Sequence, residues 1–513
     1  MTQSKIVAID LGAYEMRISA VVNRQPTLLP LKNRKQKCSS TVAVKEGTVA
    51  VGDSAINNPP DAIAFGACRA NGPPTSEVWF NQPNNGIYTF PSRPDDQWYR
   101  QQIIAELLKE AVIYASTYLK QKIDRVMITV PDNAGQHHRL LLLQAAEIAE
   151  LNVVQLINQS TAAAAWYWTA TNQISEHNAL FVNFGASNIS ATVTVKSSDH
   201  IQPVSAAGDT TLGGEELTQQ LMRYFLGKID QKYIDKKKFI KQLRQDCEKA
   251  INELSASLEA NVDVTFFDDL IYNEMLSRQQ FESVCQTQFS KVNQIVNDAV
   301  RDFHKWAKEN DKEPRIHRVF LFGGSSQNVV VAKIAEQALG PNNGDYQMEM
   351  SVIPEDAVAL GAALLADLHG DPVRSKAIPN CVLEPLYCEV HGVGVRIAEI
   401  GDYLPIAYGR HPLITLPNPA SLDFETVVVA GTVLLNESQI STLQKKSGRS
   451  VADQQQCVRL LAQLVKYFTN EERALSEPLT ECAEGLAHAI TDYIADAFES
   501  VIHHNASSVR FIG

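Results

Sequence analysis

The chain has 513 residues, 45% of them hydrophobic and 20% charged, and carries a formal net charge of −12. That length exceeds one hydrophobic core and calls for roughly two to four domains or subdomains. The acidic balance argues against nucleic acid or an anionic membrane as the main partner, since both select a basic surface, and no apolar run approaches the length of a membrane span.

In chain order, Met1 to Lys5 lead without an apolar leader into a strand, Ile6-Val7-Ala8-Ile9, which runs into the glycine turn Asp10-Leu11-Gly12-Ala13. Val126 to Val130 reads as a strand ended by Pro131, Arg139 to Ala149 has helical apolar spacing, and Val153 to Ile157 returns to strand. The alanine run Thr161 to Ala165 follows as helix. Leu180-Phe181-Val182 then enters Asn183-Phe184-Gly185-Ala186 and repeats the opening pattern of strand, small polar residue and glycine turn, with an amide where the first copy has a carboxylate. Such turns present backbone N–H groups to phosphate oxygens, so two of them predict a duplicated fold that clamps a polyphosphate from both sides.

Residues 215–310 read as mostly helical, interrupted by the strand-like Val262 to Phe266. A further strand, turn and helix follow at Val319 to Phe322, Gly323-Gly324-Ser325-Ser326 and Val329 to Leu339, and a small-residue helix at Asp356 to Ala363. Asp371 to Pro379, with two prolines, reads as a linker. Val382 to about Leu435 alternates as short strands, and from about Ser438 the pattern is helical. The eight cysteines are scattered without a CxxC pair, which fits reduced thiols in a cytoplasmic protein. His137-His138 and His503-His504 look like metal pairs, but adjacent histidines point apart, so solvent exposure is expected.

The order of motifs is specific. Asp10-Leu11-Gly12 is followed by Cys38 to Ala43 with Val51-Gly52-Asp53, by Val130-Pro131 with Arg139, and by Ile157-Asn158-Gln159-Ser160-Thr161. Gly208-Asp209-Thr210-Thr211-Leu212-Gly213-Gly214-Glu215, Glu248 with Leu254-Ser255, Gly323-Gly324-Ser325 and Pro354-Glu355-Asp356-Ala357 complete it. Over residues 4–370 the series resembles the nucleotide-binding domain of the 70-kDa heat-shock (DnaK-like) chaperones, within the actin and sugar-kinase superfamily.

The resemblance implies an α/β fold: an actin-like, two-lobed nucleotide-binding domain, each lobe a ribonuclease-H-like sheet, with ATP or ADP and magnesium in the cleft. It divides the chain into that domain at 1–370, a linker at 371–381, a truncated β subdomain at 382–437 and a C-terminal helical region at 438–513. Phosphates would face Gly12, Ala13, Tyr14, then Gly185, Ala186, Ser187, then Gly213, Gly214, Glu215. Adenosine would lie between the helix bearing Glu248 and Ser255 and the turn of Gly323, Gly324, Ser325 and Gln327, with Glu355 beyond.

Against the family pattern, the phosphate-contacting threonines are replaced by Ala13 and Tyr14, and the catalytic lysine falls at Ala67 or Cys68. The acid of the Asn-Glu-Pro-Thr motif is Gln159, and the acid opening the second loop is Asn183. Of the carboxylates that organise water around magnesium only Asp10 is left. Ile251 and Gln327 replace basic residues on the adenosine side. Single losses of catalytic groups cost on the order of 10²–10³ in rate. The expectation is a hydrolysis-defective, nucleotide-binding or scaffold protein acting on a protein partner or client polypeptide. The alternatives are an ATP-dependent chaperone with a shortened substrate domain, and an actin-like filament former or sugar kinase.

Overall fold

Strand Ile6–Leu11 and strand His177–Phe184 hold the same place in two sheets. The first sheet runs Asn152–Asn158, Arg125–Val130, Ile6–Leu11, Glu15–Val22, Gln25–Leu28, with the short Cys38–Ser39 strand also on Glu15–Val22. The second runs Gln347–Glu349, Arg318–Phe322, His177–Phe184, Ile189–Lys196, Ile201–Asp209. With the Cys38–Ser39 strand set aside, in each the first strand in sequence is central, antiparallel to the second and parallel to the fourth. The fifth strand joins the fourth in parallel in both. Two sheets of one topology make a duplicated, ribonuclease-H-like, two-lobed fold of the actin type, as the repeated strand and turn predict. The computed structural model describes residues 5–368, apart from 46–47, 77, 85, 171–176, 197–200, 267–268 and 350–354, together with the paired strands Leu386–Val390 and Val393–Ala398.

The central strands are apolar on both faces because helices cover both sides; every residue of His177–Phe184 is buried. Between the sheets lie two helices, Gln159–Ala170 and Ala357–Leu368. Their alanines share one core with Ala8 and Met127 of the first sheet and Phe181 and Phe320 of the second. The contact is so close that a Cβ on Gly361 would land on the Ala162 carbonyl oxygen. This helix pair is the axle about which the lobes are built.

Beyond the first sheet stand a small sheet (Val42–Lys45, Thr48–Val51, Ile63–Ala64), the hairpin Ile87–Phe90 with Arg93–Tyr99, and the long helix Arg100–Leu119. Beyond the second stand helices Gly214–Leu226, Lys237–Ala256 and Gln286–Glu309 and the hairpin Glu259–Phe266 with Asp269–Ser277. The core of the second lobe continues into the first: Ala43, Ala55, Ile63, Phe65, Trp79 and Phe80 share a cluster with Leu180, Phe225, Phe239 and Leu243. Apolar packing therefore bridges the outer parts of the two lobes.

The structure departs from the sequence expectation in two places. Asp269–Ser277, expected as helix, is a strand of a two-stranded hairpin, with Leu276 buried and Leu270 and Met275 exposed. His138, expected in solvent, is 4% exposed on helix Gln136–Ile148, and burial together with Arg100 and Arg139 holds its imidazole well below its ordinary pKa. The linker at 371–381, the helical region at 438–513, His503-His504 and most of the β region at 382–437 lie outside the described residues.

Candidate functional site

Asp10 sits near the end of the central strand of the first lobe, register partner of Arg17 on the next strand. It is 6% exposed, and its Oδ1 accepts a 2.6 Å hydrogen bond from Thr129 Oγ1 on the neighbouring parallel strand. Burial raises its carboxyl above the usual range, against the opposing pull of Arg17 and Thr129. The turn that follows needs a glycine, because a Cβ on Gly12 would sit 2.6 Å from the Glu15 carbonyl oxygen. Ala13 adds no polar group.

Tyr14 leaves the turn toward the other lobe. Its ring centroid lies 4.4 Å from that of Phe65, and its hydroxyl accepts from Arg69 Nη1 at 3.1 Å. Arg69 Nη2 reaches Glu216 Oε1 at 2.7 Å on the second lobe. The Arg244 guanidinium stands 5.4 Å from the Tyr14 ring and 4.8 Å from the Phe65 ring, within cation–π range. Burial, with Glu215 adding to it, keeps the Tyr14 phenol well above its ordinary pKa, so it stays a neutral hydroxyl.

In the second lobe Asn183 occupies the position matching Asp10. Its Nδ2 donates to Gln159 Oε1 at 2.8 Å, and both side chains are buried. Gly323, at φ +90°, is required here, since a Cβ would lie 2.5 Å from Asn183 Oδ1. The backbone donors of the turns are taken up by the protein itself: Gly185 N by Asn188 O at 2.9 Å, Gly214 N by Gly185 O at 2.9 Å and Glu215 N by Ala186 O at 2.9 Å. Gly213 N donates to Glu216 Oε2 at 2.7 Å, the side chain reaching back over the start of helix Gly214–Leu226. Ser187 is buried, and Gly214 abuts Ser325 Oγ.

Farther along the cleft, Arg244 Nη2 bridges Glu215 Oε2 at 2.8 Å and Glu248 Oε1 at 2.7 Å. Ser255 Oγ donates back to Ile251 O at 3.0 Å. Gly324 and Gln327 are exposed on the turn before helix Val329–Leu339. Glu355 accepts from Arg17 Nη2 at 2.7 Å and Lys37 Nζ at 2.6 Å. Burial opposes ionisation of Glu355, but Lys37 and Arg17 prevail and hold it below the usual range.

The structure thus links Tyr14 to Glu215 and Glu216 across the lobes, and Gln159 to Asn183. Glu355 is engaged with the first lobe. Ala67 and Cys68, the lysine candidates, lie in the core of the first lobe, where burial pushes the Cys68 thiol up to about 12. Arg69, one residue on, brings a cation into the cleft instead, and sequence reading passed over it. Asp132 was also missed: it accepts from Ser160 N at 2.9 Å and Ser190 Oγ at 2.6 Å, joining the axle helix to the second sheet. Beside it, Asn133, with its amide oriented so that the oxygen faces Asp209 N and Thr210 N, accepts from both. The i,i+4 spacing of Arg244 and Glu248 was the one available signal for Arg244.

A magnesium-bound triphosphate needs free carboxylate oxygens near the metal and free N–H donors at the turns. Asn183 and Gln159 offer neutral amides engaged with each other, Asp10 is held by Thr129, and four turn N–H groups already donate to protein acceptors. This donor set does not match magnesium–triphosphate in the arrangement described. Among the described residues no cluster of three or more His, Cys, Asp or Glu could hold a metal ion, and no helix is long and apolar enough to cross a membrane.

The two sheets, the axle helices and the paired turns define a protein of the actin-like nucleotide-binding class. A family model described as Hsp70 protein matches residues 6–394. The chain belongs to the Hsp70 family. It is 27% identical over 468 residues to the chaperone protein DnaK of Mycoplasmopsis synoviae, covering 88% of this chain and 72% of that one. It is 29% identical to the chaperone protein DnaK of Deinococcus proteolyticus, covering 72% and 60%. With the heat shock 70 kDa protein of Neurospora crassa it shares 27%, covering 64% of this chain and 49% of the relative.

Proposed function

We propose that this chain is a hydrolysis-defective Hsp70-family protein that acts through contacts with a protein partner or client polypeptide. The observation that carries the reading is the Asn183–Gln159 hydrogen bond at 2.8 Å. Phosphoryl transfer asks a protein for positioning, a metal and an oriented water. A carboxylate orders metal-bound water and accepts its protons, whereas a primary amide engaged with a second amide does neither. Asp10, with its raised carboxyl, is the one acid left to act on magnesium, through water. ATP or ADP, where bound, serves as a ligand rather than as a substrate.

Single-turnover hydrolysis with magnesium, run beside calorimetric titration with ATP and ADP, tests this. The expected result is no phosphate release above the uncatalysed background. Magnesium-dependent turnover at a rate comparable to that of a DnaK run in parallel would overturn it. The alternative, an ATP-dependent chaperone with a shortened substrate domain, draws support from the family match, which continues past the axle helix to residue 394. Among the described residues nothing in the cleft favours a sugar kinase or a filament former.

A further inference from the structure

We propose that Tyr14 is a built-in occupant of the phosphate cleft: its ring and hydroxyl stand where a nucleotide's phosphates would bridge the lobes, and hold the lobes closed without one. The inference rests on the cleft assignment above and concerns binding, a step before hydrolysis. It excludes nucleoside di- and triphosphates while the contact is made.

Three observations combine. Tyr14 belongs to the first phosphate turn, yet its side chain packs on the apolar cluster that joins the two lobes, meeting Phe65 and lying under the Arg244 guanidinium of the second lobe. Its hydroxyl is one end of a relay, Tyr14 to Arg69 to Glu216, with links of 3.1 Å and 2.7 Å. Glu216 then closes the relay on Gly213 N, at the start of the helix whose positive end would attract phosphate. A phosphate group entering between these turns has to displace the phenol and win Arg69 and the helix end from Glu216. The ring is tied from the remaining side by Phe65 and Arg244. A carboxylate at the helix N-terminus and a neutral phenol thus take the places that an anionic ligand and its contacts would fill.

The test uses the full chain and fluorescent ADP, with and without magnesium. Tyr14→Thr is expected to bind at least about tenfold more tightly than wild type, while Tyr14→Phe, which keeps the ring, gains little. Equal affinity of wild type and Tyr14→Thr overturns the inference. Hydrogen exchange on the unmutated, ligand-free chain gives a second readout that no folding defect affects. The amides of Gly213, Gly214 and Glu215 are expected to be protected without ligand; rapid exchange there that slows only on adding ADP overturns the proposal. Tight binding of ATP to wild type without turnover sinks the plug and leaves the hydrolysis reading standing. Turnover by wild type sinks the hydrolysis reading itself.

Discussion

Asn183 and Gln159, separated by 24 positions in sequence, satisfy each other through one buried hydrogen bond of 2.8 Å. Two carboxylates in that geometry would repel unless a cation or a proton lay between them. Two amides need neither, so each makes the other tolerable in this buried place.

Introducing two acids at this pair gives the sharpest check. In Gln159→Glu combined with Asn183→Asp, the two carboxyls share one site, and the proton they retain has a folded-state pKa above the unfolded value. Stability is then fully present at low pH and lost as pH rises through the folded value. We expect the double variant to lose on the order of 2 kcal/mol between about pH 5 and pH 8 relative to wild type, read from denaturant midpoints. Either single change is milder, because an amide can rotate to donate to the one new carboxylate.

Glu355 behaves in the opposite sense. Its folded pKa lies below the ordinary 4.5 because Lys37 and Arg17 outweigh its burial. Its contribution is present above that ordinary value and lost as pH falls through the folded one. Glu355→Gln should cost about 0.5–1 kcal/mol near neutral pH, the size of a partly exposed ion pair. The difference from wild type should close toward pH 3 in a series of unfolding curves.

Arg244 faces Glu215, whose side chain is 3% exposed. Arg244→Met leaves that carboxylate buried and unpaired, at a cost of about 3–5 kcal/mol. Adding Glu215→Gln should recover much of the loss, since the buried charge is gone and Gln219 Nε2 keeps an oxygen to donate to. A double-mutant cycle in urea that showed simple additivity would contradict the pairing.

At the axle, Gly361→Ala places a methyl on the Ala162 carbonyl oxygen. Helix propensity favours alanine, but the overlap with backbone dominates, and we expect a loss of about 1–3 kcal/mol. A thermal midpoint at or above wild type would show that the helices can part without cost.

The sheets were legible because a strand apolar on both faces and ended by a glycine turn has few other places to go, and it occurs twice, at Ile6 and at Leu180. Helix Val329–Leu339 was readable from the strand and glycine turn before it; in the fold Asn328 caps its start and Gly340 follows its end. The second hairpin strand at Asp269 was not, because its exposed residues include the apolar Leu270 and Met275, which break a clean period of two. The cleft was half legible. Departures from the family motif can be read from their positions, but the contacts the fold makes cannot: Arg69 and Glu216 are 147 positions apart, and only folding brings them together. Tyr14 read as the loss of a threonine, whereas in three dimensions it is a new contact.

Gln159 is the first residue of the helix that passes Ala162 against Gly361. The residue facing Asn183 and the bearing surface between the lobes are thus parts of one rigid rod, less than a helical turn apart. A push at either end is felt at the other. The Asn183 contact and the Gly361 bearing therefore share one helix, so a change that displaces either end of it bears on both.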